Sequence, residues 1–209
     1  MEYTRKLPHF DHEGAAFFVT FRLHNTIPAH IARQYKEQRA ASIAAINKSD
    51  VKDKPQQIMN VERAYFLRFE NLLDHPTYGD RYLTELEYAD IVKEVLHEYD
   101  GQFYCLDAYC IMPNHVHLLL DTSIQLNSNY SVPENYQYLK DIMRRIKSKT
   151  AVFINRLRRQ NGQLWEEESY DRYIRNTQHR LTTINYIVQN PIKAGLGTAE
   201  KNYPHVYVK

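Results

Sequence analysis

Nine residues near the middle of the chain, Met112-Pro113-Asn114-His115-Val116-His117-Leu118-Leu119-Leu120, restrict its fold more than any other stretch. The apolar run after Pro113-Asn114 suits only a strand. On a strand, alternate side chains share a face. His115 and His117 are expected to point one way, and Val116, Leu118 and Leu120 the other. Two imidazoles on one face, backed by an apolar face, can hold a metal ion over a cleft. Satisfied or surface histidines are the plain alternative, so a third ligand and a chemical partner must come from elsewhere in the chain.

The flanking sequence extends this strand into a fold. Segments 103–112 and 115–121 read as a hairpin turning at Pro113-Asn114. Gly14 precedes a β-rich strand at 15–23. Pro28 opens a polar helix to about Asn47. Segment 48–80 carries Lys-Ser-Asp, Asp-Lys-Pro and His-Pro-Thr-Tyr-Gly punctuation around an apolar patch at 65–69, and it reads as inserted. Thr84 is placed to cap a helix to about Tyr99, with Leu86, Ile91, Val95 and Leu96 as its core stripe. After a polar loop at 124–133, a basic helix begins near Glu134, with Leu139, Ile142, Met143, Ile146, Phe153 and Leu157 at helical spacing. A short strand at 169–174 and a last helix at 177–190, stopped by Pro191, complete the order. This order predicts the α+β class, an antiparallel sheet with helices on one face.

With 209 residues, 25% charged and 43% hydrophobic, the chain is expected to form one globular domain, 1–209, with a helical insertion at about 24–82. No apolar run approaches the ~18 residues of a membrane span, and the N-terminus lacks an apolar signal core, so a cytoplasmic protein is expected. Cys105 and Cys110, five apart on one strand, are expected to face opposite ways as free thiols in a reducing compartment. Net charge is only +2, yet segment 139–160 holds eight Lys or Arg against the single acid Asp141. Such a run, with seventeen tyrosines in the chain, suits stacking on bases and contact with phosphates. A solvated charged face is its plain alternative.

The last helix supplies the missing partners. Leu181, Ile184, Ile187 and Val188 form one broad side, and His179, Thr183, Tyr186 and Asn190 fall opposite them. Tyr186 and Asn190 lie one turn apart on the same face. Packing for the tyrosine and a C-terminal cap for Asn190 are the ordinary roles. A carboxamide oxygen is also a good ligand for Mg²⁺ or Mn²⁺, and a phenol beside such an ion is a potential nucleophile.

Taken together, these residues resemble the HUH single-strand DNA transposases, most closely the REP-associated tyrosine transposase branch. The resemblance runs nearly end to end. It is carried by Arg5-Lys6-Leu7-Pro8-His9-Phe10, Phe18-Val19-Thr20-Phe21-Arg22-Leu23, Met112-Pro113-Asn114-His115-Val116-His117, Leu164-Trp165, Tyr170-Asp171-Arg172-Tyr173-Ile174-Arg175-Asn176 and Tyr186-Ile187-Val188-Gln189-Asn190-Pro191. It implies a ferredoxin-like HUH domain. It further implies that His115, His117 and Asn190 bind a divalent metal, Mg²⁺ or Mn²⁺, and that Tyr186 attacks single-stranded DNA to form a 5′-phosphotyrosine. The substrate it implies is single-stranded DNA with a hairpin, a REP-like palindrome, acted on by a monomer or a homodimer. Arg5, Lys6, Arg144, Arg145, Lys147, Arg172 and Arg175 are the expected DNA contacts. The insertion at 24–82 and the extended basic helix depart from short relatives, and both bear on substrate recognition more than on chemistry. Two rivals stay open: a rolling-circle type HUH nickase, and a domesticated protein that binds DNA or RNA hairpins without cleaving them.

Overall fold

In the computed structural model, which describes residues 12–74, 79–197 and 203–209, the apolar runs form the centre of one sheet. The elements are β1 (Ala16–Arg22), α1 (Ala29–Lys48), α2 (Lys54–Asp74), α3 (Leu86–Glu98), β2 (Cys105–Ile111), β3 (His115–Asp121), α4 (Leu139–Leu157), β4 (Tyr170–Tyr173), α5 (Thr177–Lys193) and β5 (Val206–Val208). The sheet order is β4-β1-β3-β2-β5, antiparallel throughout. Its first four members, with their crossing helices, make the ferredoxin-like β-α-β-β-α-β arrangement. The short C-terminal strand β5, which the sequence pattern does not announce, pairs along the outer edge of β2.

Helices cover both faces of the sheet rather than one. Helices α3 and α4 pack on the face formed by Phe17, Val19, Phe21, Val116, Leu118 and Leu120. The opposite face, with Phe18, Cys110 and Leu119, receives Ile187 of α5 and Phe66 of α2. This follows from Leu118-Leu119-Leu120: three consecutive leucines, all fully buried, need cover on both sides of the strand.

Segment 48–80 contains a 21-residue helix, α2, where only a punctuated apolar patch was expected. It forms an α-hairpin with α1, joined by the Arg39–Glu62 ion pair. No residue of α1 is buried, so α2 anchors the pair, setting the Phe66 ring edge-on to Phe18 at 5.7 Å and stacked on Tyr170 at 4.5 Å. The two ends of the 24–82 segment meet where Gly79, at φ +81°, passes Thr26 so closely that a Cβ would lie 2.6 Å from its Cα.

Other boundaries differ for local reasons. Glu85, not Thr84, is the N-cap of α3, and Leu86 is exposed while Tyr88, Ala89 and Val92 are buried. Helix α4 begins at Leu139 because the Tyr136 hydroxyl, donating to Thr122 Oγ1 and accepting from the Gly14 N–H, holds the preceding segment to the sheet. Phe153 and Leu157 of α4 are exposed, and Thr150 and Ile154 take the inner positions. A bulge in β2 between Leu106 and Ala108 inverts the alternation. Cys105 and Cys110 therefore pair with Asp121 and His117, which share one face, instead of facing opposite ways; both remain free thiols. Among the described residues no helix is long and apolar enough to cross a membrane.

Leu118 is fully buried in the central strand. Leu118→Ala is expected to destabilise the fold by about 2–5 kcal/mol, read from the shift of the urea unfolding midpoint.

Candidate active site

The β3 register places His115 opposite Arg22 and His117 opposite Thr20, with both imidazoles on the face that α2 and α5 cover. Both rings are fully buried, and their Nε2 atoms lie 3.0 Å apart. Each ring is held from behind. Asn114 donates from Nδ2 to the Leu73 carbonyl at 3.1 Å, which leaves its Oδ1 to accept from His115 Nδ1 at 2.7 Å. His117 Nδ1 lies 2.9 Å from Thr20 Oγ1. An Nδ1 engaged in this way leaves Nε2 free to act as a ligand.

Helix α5 lies over these histidines with its polar stripe inward. Thr183, Ile187 and Asn190 are buried, whereas Leu181 is 56% exposed. The sheet beneath carries imidazoles, so the Tyr186–Asn190 face is the complementary one. The Asn176 side chain caps the helix by accepting from the His179 N–H at 2.8 Å. Arg180 clamps it to the sheet by ion pairs to Asp107 at the β2 bulge and to Asp121 at 3.2 Å. Pro191 does not end the helix. The last turn continues to Lys193 and closes with Gly195 at φ +71° and a Leu196 N–H to Pro191 carbonyl bond.

One site residue escaped the sequence pattern. Glu70 of α2, 4% exposed, reaches the histidines from the inserted hairpin. Its Oε2 lies 3.2 Å from His117 Nε2 and accepts a hydrogen bond from the Tyr186 hydroxyl. Asn190 Nδ2 donates to the same hydroxyl at 3.3 Å. The Asn190 Oδ1 is buried and meets no hydrogen-bond donor. Lys193 Nζ sits 5.4 Å from the centre of the Tyr186 ring.

These groups are protonated as their burial dictates. Desolvation raises the Glu70 carboxyl to about 8, against the opposing pull of the Tyr186 hydrogen bond. Burial lowers His117 to about 3 and His115 well below its ordinary value. Burial, and then Glu70, raise the Tyr186 phenol. Burial thus disfavours the charged form of each of these four groups.

The donor set fits a divalent cation. Glu70, His115 and His117 are a buried trio whose ligand atoms all lie within 4.8 Å of one another. The unpartnered Asn190 oxygen is a further hard donor. Neutral imidazoles with carboxylate and carboxamide oxygens offer a mixed nitrogen and oxygen ligand set.

Among the described residues, the expected DNA-contacting cations do not form one cluster. Arg5 and Lys6 lie outside the described residues. Arg144, paired with Asp141, Arg145, over the Phe103 ring, and Lys147, bonded to the Glu166 and Glu167 carbonyls, all belong to α4, which packs on the sheet face away from the histidines. Arg172 is paired across from Phe18, on the histidine face. Arg172 and exposed Arg175 both lie close enough to His179 to add to the lowering that burial imposes on it.

Fold and site define a class of protein: an antiparallel-sheet domain with a His-x-His strand facing a helix-borne tyrosine and carboxamide. The chain belongs to the IS200-like transposase family, which matches residues 76–190, more than half of its length. That span contains His115, His117, Tyr186 and Asn190; Glu70 lies upstream of it. The chain is similar to a REP-associated tyrosine transposase of Haemophilus influenzae, 28% identical over 144 residues, covering 62% of this chain and 80% of that protein. A solved REP-associated tyrosine transposase bound to a REP hairpin aligns with a TM-score of 0.49 and 16% identity, covering 99% of this chain and 81% of that one.

Two outcomes test the site. Asn114 orients His115, so Asn114→Ala is expected to weaken Mn²⁺ binding roughly 10–100-fold, measured by calorimetry; unchanged affinity would remove Asn114 from that role. The second concerns pH in chelator. The raised Glu70 contributes stability that is full below its ordinary value of 4.5 and is lost as pH rises through about 8. The lowered histidines contribute stability that is full above 6.5 and lost only as pH falls. Between pH 6.5 and 8 the melting temperature should therefore fall for the wild type and hold nearly level for Glu70→Gln.

Proposed function

We propose that the protein is a metal-dependent, single-strand-specific DNA transposase that cleaves and rejoins DNA beside a hairpin, with Tyr186 as nucleophile. The observation that carries this reading is the convergence, in one buried cluster, of the His115 and His117 Nε2 atoms, the Tyr186 hydroxyl and the unpartnered Asn190 oxygen. His115, His117 and Asn190 hold the cation, with Glu70 positioned beside them. When bound, a divalent cation polarises a phosphoryl oxygen and favours the ionised phenol.

The chain's own groups carry the rest. Burial favours the protonated Glu70, so its own proton must leave first, which a divalent cation beside it would favour; its Oε2, which accepts the phenolic hydrogen bond, then takes the Tyr186 proton. The phenolic oxygen attacks phosphorus, the bond to the 3′ oxygen breaks, and that oxygen leaves as a 3′ hydroxyl after gaining a proton. Tyr186 is left joined to the 5′ phosphate. The phosphotyrosine link retains the energy of the phosphodiester, so a 3′ hydroxyl can displace the tyrosine and rejoin the strand without ATP. Lys193 over the ring and the Asn190 Nδ2 stabilise negative charge on the phenolic oxygen. The name of the Haemophilus relative supports a REP-like palindrome as the hairpin, and Arg172 and Arg175 are the cations best placed to meet a strand entering the histidine face.

Incubation with a labelled hairpin oligonucleotide and Mn²⁺ should give an SDS-stable protein–DNA adduct. Tyr186→Phe should abolish the adduct while hairpin binding survives. A full-strength adduct from that variant would sink the assignment. Tight hairpin binding by the wild type with no adduct at all would favour a protein that only binds hairpins.

A further inference from the structure

The inserted hairpin does more than deliver Glu70. Between α1, α2 and the edge formed by β1 and residues 166–170 lies a cavity of about 330 Å³. Thr20 and Glu70 form part of its wall, and both also contact His117. The cavity is thus continuous with the proposed site of strand cleavage.

Its lining selects among ligands. Tyr65 and Phe69 of α2 present adjacent rings, 4.8 Å between centroids, and Phe66 stacked on Tyr170 closes the inner wall. Flat aromatic walls suit a nucleobase, since every base has a π face. The charges of the lining nearly cancel: Arg22 is paired with Glu166 at 3.3 Å and Lys36 with Glu168 at 2.8 Å, and Arg33 and Glu167 complete the rim, a cation for the phosphate beside a bound base and a carboxylate for the base itself. Carboxylates are acceptors for the exocyclic amino group of a base, which thymine lacks. The volume falls at the lower end of the about 300–1,000 Å³ typical of small-molecule sites, room for one base and little more.

We propose that this cleft binds one unpaired, amino-bearing nucleobase from the strand next to the scissile phosphodiester, so that the insertion reads sequence at the cleavage position. Stacking on Tyr65 and Phe69 supplies affinity, and the Glu166-Glu167-Glu168 run supplies the preference over thymine. The inference rests on the reading of the chain as a single-strand DNA enzyme.

The test uses the full chain with short oligo-dC and oligo-dT strands, followed by fluorescence anisotropy. Oligo-dC is expected to bind about tenfold more tightly than oligo-dT. Glu167→Gln should remove most of that difference, and Tyr65→Ala should weaken oligo-dC about fivefold or more. A strand carrying a single 5-iodocytosine, irradiated and mapped by mass spectrometry, should crosslink to Tyr65 or Phe69. Equal affinities for the two strands in the wild type, or crosslinks confined to residues outside the cleft, would overturn the proposal. If Tyr65→Ala loses helix content by circular dichroism, Glu167→Gln and the crosslink decide the matter. A Tyr186 adduct without the cleft crosslink sinks the cleft alone, whereas the crosslink without any adduct sinks the cleavage reading and leaves the cleft standing.

Discussion

A carboxyl group buried between a tyrosine and a histidine is the interaction on which this site depends. Glu70 arrives on α2, Tyr186 on α5 and His117 on β3, and the three meet with almost no solvent between them. A buried ionisable group that loses its partner carries the whole desolvation cost alone. Moving any one element outward would strand the polar groups of the other two. The geometry is therefore held by mutual satisfaction of polar groups as much as by apolar packing, and the shifted protonation of the cluster follows from the same enclosure. Enclosure disfavours charge on each member of the set.

The surrounding structure keeps those elements from drifting. Arg180 fastens α5 to Asp107 and Asp121, and the β2 bulge is what turns the Asp107 position out of the regular ladder. Asn114 performs the equivalent task for α2, linking the Leu73 carbonyl at the end of that helix to the His115 ring. The inserted hairpin is in this way coupled to the histidines at two points, Asn114 and Glu70. The cleft it forms with β1 and the histidine cluster are consequently parts of one assembly, and a change in the insertion would be felt at the histidines.

Much of this was legible in the residues, and the failures are instructive. The His-x-His alternation survived because β3 is regular and apolar on its other face. The one-turn spacing of Tyr186 and Asn190 survived because helical periodicity is local. Helix α5 turns Ile187 inward together with Thr183 and Asn190, while Leu181 lies outside, so its buried side straddles the apolar and polar stripes. The surface beneath it mixes two imidazoles with Phe18, Cys110 and Leu119, so it takes apolar and polar residues side by side. The bulge at Asp107, which brings Cys105 and Cys110 to one face, has no local signature. The helix carrying Glu70 was obscured by the Lys-Ser-Asp and Asp-Lys-Pro punctuation before it and His-Pro-Thr-Tyr-Gly after it.

The sequence by itself determined the class of fold, the face on which the histidines stand and the helix that bears the tyrosine, because each depends on periodicities of two or 3.6 residues within a single segment. Only the tertiary structure decided that Glu70 belongs to the site and that the insertion makes a cleft beside it. A glutamate in a stretch already rich in charge, near Glu62, Arg63 and Arg68, looks like a solvated residue. Its burial is created by the sheet and by α5, 116 residues further along the chain, and no local pattern encodes a partner at that distance.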